Sequence, residues 1–426
     1  MRRALLALLL GTTSCARCNG SATTTTDAAP AASSAPTAGG GRCTPIARHV
    51  RGGLAGEAET DSPVAFGAEL GGVASDAQAF YVGLRTAGGG GEAMVLRFPH
   101  DGAAPTVVTT LAKAPGTRPP QVAIDPKGGV LVGALVRGFE STTFDLRTPT
   151  ASLGTFPQAV DESESTVLLA TAKGTLVAWD DTEGDKVTRG RVRVIAWSGA
   201  KPTLADAGSD AGASDTIGVA SAKTSDAQWP LLVPSPDGAR AVLLWLAERP
   251  EAIDDHDGAA GEPSQDNAQR WVEAVLVDVA TGATIGAPRM LTAQTGHAQT
   301  MTATWTASGL FVVVRDDPRP TDGDGGSLIA VRALVDAAIA EPTRKVVAEK
   351  DVAPGVAAAL PFGAGILASF LAPDGRARLV PAFADGPATT EPALEHRRVL
   401  AARGPIVLAT RLSGSALDFA LVRCNL

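Results

Sequence analysis

Few residues of this 426-residue chain could do chemistry: four cysteines, five histidines and three acidic turns. The histidines are His49, His100, His256, His297 and His396, and no two lie at metal-ligand spacing. Each reads as a surface or loop residue except His49, which falls on a candidate closing strand where a structural role fits. The acidic turns are Asp254-Asp255-His256-Asp257-Gly258, Asp322-Gly323-Asp324-Gly325 and Asp180-Asp181-Thr182-Glu183-Gly184-Asp185. They carry the hard oxygen donors that Ca²⁺ takes, with Asp254, Asp255, Asp257, Asp322 and Asp324 as the candidate ligands. A Ca²⁺ site needs about 6–8 oxygens, and none of these turns follows the twelve-residue loop with its bidentate Glu. Solvated surface loops are the simpler reading. There is no Gly-rich phosphate loop, GxSxG elbow or HExxH stretch. The sequence therefore leads us to expect no catalytic residue, no resident metal and no cofactor.

The cysteines are Cys15, Cys18, Cys43 and Cys424. Two lie near the start, and the other two bracket the region able to fold. No cysteine lies between Cys43 and Cys424, so neither has another partner there, and a secreted context permits disulfides. We expect a Cys43–Cys424 disulfide, the alternative being two free or mixed-disulfide thiols. A metal site is excluded by count, because neither cysteine has a third Cys or a His close in sequence.

The start of the chain reads as an address. Met1-Arg2-Arg3 is a short positive segment, residues 4–10 (ALLALLL) are a short apolar one, and Gly11-Thr12-Thr13-Ser14 leads to Cys15. A Cys after small residues resembles the bacterial lipoprotein signal. Ser14 and Thr13 suit the two positions before it, while Thr12 stands where that family usually has Leu. The resemblance implies that Cys15 becomes the first mature residue and carries lipid. Ordinary signal cleavage, with Cys15 discarded or a bystander, is the other reading. Residues 16–41 are almost wholly Ala, Thr, Ser, Pro and Gly, too poor in large apolar groups to offset ordering entropy. The expected organisation is a signal peptide (1–14), a disordered tether (15–42) and one folded domain (43–426).

Within that domain one pattern recurs: a short apolar strand, a tight polar or Gly turn, and a second apolar strand. It occurs at 72–86, 121–137, 159–174, 231–247, 302–316, 357–372 and 399–413. Further strands are expected at 94–98, 191–195, 272–278, 328–333 and 378–382, and outer ones at 106–111, 289–291 and 345–348. Seven units of about 40–45 residues, each of up to four strands, indicate an all-β fold, a seven-bladed β-propeller. Segments 203–228, 249–269 and 316–326 read as surface insertions. The last unit offers three strands, and residues 44–51 (TPIARHVR) supply a fourth. Pairing the two ends closes the ring and sets Cys424 beside Cys43. The turn Pro234-Ser235-Pro236-Asp237-Gly238, echoed by Ala372-Pro373-Asp374-Gly375-Arg376, resembles the SPDG turn of TolB-like (WD40-like) propeller repeats.

Composition narrows function further. The 37 Lys+Arg against 45 Asp+Glu give −8, which disfavours nucleic acid because phosphates need a basic face. The 45% apolar content excludes global disorder. Beyond the start no apolar run nears the ~20 residues that span a bilayer, so membrane contact is expected only through a lipid. Aromatics are 4% with one Tyr, and the six Trp (Trp179, Trp197, Trp229, Trp245, Trp271, Trp305) are expected to pack between blades. The function expected is a non-enzymatic envelope lipoprotein. Its propeller would bind or scaffold an envelope protein or glycan, anchored at the outer membrane and facing the periplasm or the cell surface. The alternative is a propeller hydrolase or lyase acting on envelope polysaccharide or peptide.

Overall fold

Twenty-eight strands and one short 3₁₀ helix (Pro392–Leu394) make up the regular structure of the described residues. The computed structural model describes residues 41–51, 70–85, 92–111, 119–137, 142–158, 165–183, 189–197, 218–219, 226–249, 269–318, 325–413 and 416–426. The strands form seven four-stranded antiparallel sheets, the blades of a β-propeller. Blade 1 is Leu70–Ser75, Ala79–Arg85, Ala93–Pro99 and Thr106–Thr110 (β2–β5). Blade 2 is Gln121–Ile124, Val130–Arg137, Thr142–Arg147 and Ser152–Gln158 (β6–β9). Blade 3 is Thr166–Thr171, Gly174–Glu183, Arg189–Trp197 and Gly218–Val219 (β10–β13). Blade 4 is Asp226–Pro234, Arg240–Glu248, Arg270–Asp278 and Thr284–Met290 (β14–β17). Blade 5 is Ala298–Thr306, Gly309–Asp316, Gly326–Ala333 and Thr343–Val352 (β18–β21). Blade 6 is Ala358–Phe362, Gly365–Leu371, Ala377–Ala382 and Thr389–Thr390 (β22–β25). Blade 7 is Arg398–Arg403, Ile406–Ser413 and Ala416–Cys424 (β26–β28), completed by Cys43–Arg51 (β1) as its outer strand.

Each blade's first strand packs beside the first strand of the next, from β2 through β6, β10, β14, β18, β22 and β26 back to β2. These strands therefore line the axis. The second strands, and in blade 4 the third as well, are buried on both faces, which is why these sequences run apolar without alternation. In β15, Ala241, Leu243, Trp245 and Ala247 face blade 3, while Val242, Leu244 and Leu246 face blade 5. The core is accordingly seven layers, one at each seam, rather than one central mass. At the seam of blades 1 and 2 the chain comes so close that a Cβ on Gly83 would lie 1.9 Å from the Pro120 carbonyl oxygen. Only glycine permits that approach.

The SPDG turn shows why its residues recur. Gly238 has φ +65°, its N–H donates to the Ser235 carbonyl at 2.9 Å, and Asp237 Oδ1 accepts the Ala239 N–H at 3.0 Å. The echo at 372–376 repeats the glycine, with Gly375 at φ +81°, but joins β23 to β24 instead of a first strand to a second.

Blade 7 closes the ring. β1 pairs antiparallel with β28, with Cys43 opposite Cys424, and a disulfide joins them. Glu391, fully buried, accepts the backbone N–H groups of Arg42 at 2.8 Å and Cys43 at 3.0 Å, so the incoming chain is also tied to blade 6.

Some strand assignments need correcting. The hairpin expected at 159–174 is out of phase: β10 begins at Thr166, so its apolar run is a first strand and not a second, and 159–164 lie outside the described residues. The segment 203–228 is not purely an insertion, since it contains β13 and the start of β14. The outer strand expected at 289–291 is Thr284–Met290. β8, β9 and β25 carried no clear apolar signal. Outer strands face solvent on one side, and the exposure pattern of β17, mostly exposed, shows how weak such a signal is. Five of the tryptophans, Trp179, Trp197, Trp245, Trp271 and Trp305, pack between blades, but Trp229 does not.

Alkylation of the mature protein should find Cys43 and Cys424 unreactive until reductant is added. The bond spans 381 residues, for which the loop-entropy relation gives a ceiling of about 6 kcal/mol, and removal of native disulfides from small domains costs about 2–5 kcal/mol. Reduction should therefore lower the denaturant midpoint by a clear margin; an unchanged midpoint would show that the strand pairing closes the ring unaided.

Candidate functional site

Most of the buried charged side chains of the described residues, among them Asp180, Arg315, Asp317 and Asp418, lie at one end of the ring, where first strands begin and second strands end. A strand end is where a charged side chain can leave the apolar seam without giving up the strand's hydrogen bonds. Blades 3 to 7 all contribute to this rim.

At the junction of blades 3 and 4, the Asp180 carboxylate, 6% exposed, accepts the Ser165 N–H at 2.9 Å and the Trp229 N–H at 3.3 Å. Trp229 has φ +56° and lies in a register break between Gln228 and Leu231. A bulky residue in the left-handed region costs of order 1–3 kcal/mol and persists only where its surroundings enforce it. Here the Asp180 carboxylate, accepting the Trp229 N–H, helps to hold it. Trp229 is also 40% exposed, on a strand that lines the axis. Beside it, Glu248 accepts from Gln228 Nε2 at 3.2 Å and from Arg270 Nε at 2.7 Å.

In blade 5, Asp316 accepts the His297 N–H and Arg315 is paired with Asp317, all at the same end. Burial pushes the Arg315 guanidinium down, and Asp317 opposes the shift. From blade 7, Arg398 reaches over blade 6: its Nη2 donates to the Pro354 carbonyl at 3.5 Å, and it rests where a Cβ on Gly355 would be 2.4 Å from Cζ. Burial, aided by the like charge of Arg315, pushes the Arg398 guanidinium down to about 10.

The tightest group is in blade 7. Asp418, with no exposed side-chain area, accepts Arg48 Nε at 2.8 Å on Oδ1, and Arg397 Nη2 and Arg411 Nε, each at 2.8 Å, on Oδ2. Burial alone would raise this carboxyl. The hydrogen bonds from Arg48 and Arg411 and the charge of Arg397 outweigh it and hold Asp418 below the usual carboxylate range. Arg48 comes from β1, so this group is a second tie between the chain's two ends.

Chemically the rim offers fixed charges, donors and one exposed indole. The carboxylates of Asp180, Glu248, Asp316, Asp317 and Asp418 are each engaged by a guanidinium or a backbone N–H group. Along the axis-lining strands, the described ionisable residues are Asp226, Arg398 and Arg403, all at strand ends; between them lie mostly Gly, Ala, Thr, Val and Leu.

The residues singled out from sequence fare unevenly. Cys15, Asp254, Asp255, Asp257, Asp322 and Asp324 lie outside the described residues, as does His256. Among the described residues no three His, Cys, Asp or Glu side chains come together as a metal site. Asp180 is a buried anchor for backbone N–H groups, not part of an open loop. His49 does lie on β1, its ring 6.3 Å from that of Phe98. Trp229, Arg315, Arg397, Arg398 and Asp418 were missed. A charge inside an apolar strand, as in Leu417-Asp418-Phe419 or Val314-Arg315, was the available signal, because a buried charge needs a partner.

No protein family and no curated protein sequence matches the chain. Among solved structures, a puromycin-hydrolysing peptidase of Mycobacterium tuberculosis is 15% identical with a TM-score of 0.49, over 84% of this chain and 52% of that one. This chain thus spans about half the length of that protein. Polysaccharide lyase Uly1 is 10% identical, TM-score 0.47, over 83% of this chain and 89% of that one. The β-propeller domain of the trilobed protease from Pyrococcus furiosus is 9% identical, TM-score 0.45, over 84% and 96%.

Asp418→Asn should cost about 3–5 kcal/mol of stability, since it strips the counter-charge from Arg397, whose side chain is 11% exposed. Because the folded carboxyl is held low, its contribution is present above the unfolded value of about 3.9 and is lost as pH falls through the lower folded value. Equilibrium unfolding between pH 2 and pH 7, roughly the carboxylate range and above, should show a smaller loss of stability on acidification in the variant than in the parent.

Proposed function

We propose that this protein is an envelope-held binding module that recognises its partner, an envelope protein or glycan, at the rim of blades 3 to 7. The observation that carries the reading is Trp229: a strained, exposed indole on an axis-lining strand, kept in place by a buried carboxylate of the neighbouring blade. Strain of that kind persists at sites of recognition more often than in inert surface. Exposed Trp supplies contact area at low entropic cost and is enriched in binding hot spots. The carboxylates locked by arginine fit a surface that binds rather than one that moves protons. The same reading holds the domain at the membrane by lipid on Cys15, with the Ala/Thr/Ser/Pro/Gly tether between.

Chemical cross-linking of the full chain in intact cells, followed by identification of the joined species, tests the rim. One partner should be recovered with the parent and lost with Trp229→Ala, while the thermal midpoint of the variant stays within about 2 °C of the parent, the shift expected of a surface change. Recovery unchanged by Trp229→Ala, or turnover of an envelope polysaccharide or peptide by the purified chain, would refute the reading. Cys15→Ser should release the protein from the membrane fraction; continued sedimentation with membranes would remove the lipid from the account.

A further inference from the structure

The opposite end of the ring carries the turns between first and second strands, and there the seam of blades 7 and 1 opens into a groove of about 520 Å³. Ala77, His100 and Asp101 of blade 1 line one side, and Arg403, Pro405 and Arg423 of blade 7 the other. We propose that this groove binds a tetrahedral oxyanion, a phosphate or sulfate group, between Arg403 and Arg423. The site is distinct from the rim and does not depend on what the rim binds.

The backbone register places the two arginines. Arg403 pairs with Ile406, and Ile406 pairs with Arg423, so the three stand in one row across β26, β27 and β28. Residues in one row of an antiparallel sheet share a face. Ile406 packs in the seam with blade 1, and both arginines therefore point toward that blade as well. Two strand spacings separate them, about 10 Å, a span that two guanidinium side chains close onto one ion held between them. Gly404, at φ +52°, forms the tight turn that brings Arg403 to the groove.

Neither guanidinium has a hydrogen-bond or ion-pair partner among the described residues. The blade 1 wall cannot satisfy both. Asp101 turns its Oδ1 back to the Ala103 N–H at 3.0 Å. The His100 ring is fixed edge-on to Phe80, with ring centroids 4.7 Å apart. Burial lowers the proton affinity of His100, so at neutral pH it adds no charge. Two arginines against one aspartate leave the groove at +1, on a chain whose net charge is −8. Two guanidinium forks approaching from separate strands can each engage a different pair of oxygens on a tetrahedral anion, which a planar carboxylate with only two oxygens does not offer. Phosphate could come from solution or from a lipid headgroup, and the groove lies at the end of the domain that carries Cys43 and Cys424.

The test uses the full chain carrying Cys15→Ser, which removes any lipid anchor. Inorganic phosphate is titrated calorimetrically at low ionic strength, with acetate as the control anion. One saturable phosphate site is expected, weakened by at least about tenfold in the Arg403→Ala/Arg423→Ala double variant, while acetate does not compete. The arginines are exposed, so the double variant should keep the parent's thermal midpoint. In parallel, the protein is sedimented with phosphatidylcholine vesicles with and without phosphatidylglycerol. Arginine-dependent retention on the anionic vesicles would assign the oxyanion to a headgroup. Phosphate binding without such retention would assign it to a soluble anion. Absence of phosphate binding, binding unaltered in the double variant, or equal competition by acetate would overturn the proposal.

Discussion

Seven blades make a ring only if the last is joined to the first, and in this protein a single strand from the other end of the chain does the joining. β1 lies against β28 and is fastened at each end by a different kind of interaction. At one end is the Cys43–Cys424 disulfide, with Glu391 holding the adjacent backbone N–H groups. At the other end Asp418 gathers Arg48 of β1 with Arg397 and Arg411. The covalent tie needs no charge balance and survives any ionic strength. The ionic tie lies where a charged side chain can reach its partners without crossing the apolar seam. Every seam depends on this closure, because an open ring would expose the facing apolar layers of blades 7 and 1.

The seams also explain where chemistry can occur. The second strands of the blades are buried on two faces, so a polar group there must be fully paired. Charges are therefore driven to the strand ends, and the two ends of the ring become different surfaces. One collects anchored carboxylates, guanidiniums and the strained Trp229. The other presents short turns, with two arginines facing blade 1 across one groove. The axis-lining strands keep small residues because seven of them must meet around one centre. The charged side chains on such a frame lie mainly at the strand ends, where the proposed recognition surface is placed.

Much of this was legible in the residues. Paired apolar runs around Gly and Asp-Gly turns show the hairpins because a doubly buried strand has no polar alternation to hide it. Two cysteines at the limits of the foldable region, with none between, leave one pairing. The phase error at 159–174 arose where the polar run Asp161-Glu162-Ser163-Glu164 looked like a hairpin turn, and pattern alone does not say which strand of a unit an apolar run represents. Outer strands such as β9 and β25 were hidden because one of their faces is wet and their residues need not be apolar.

The class of fold, the number of units and the cysteine pair follow from local periodicity and from counting, and so are readable in the residues alone. The sites are not; they come from the folded arrangement. Arg403 and Arg423 become neighbours through strand register, Asp418 becomes a hub because three arginines from separate segments converge on it, and Trp229 is exposed because its backbone is held in a conformation that no sequence pattern encodes. Periodicity is a property of adjacent residues, whereas a site is made by residues far apart in the chain that the closed ring brings together.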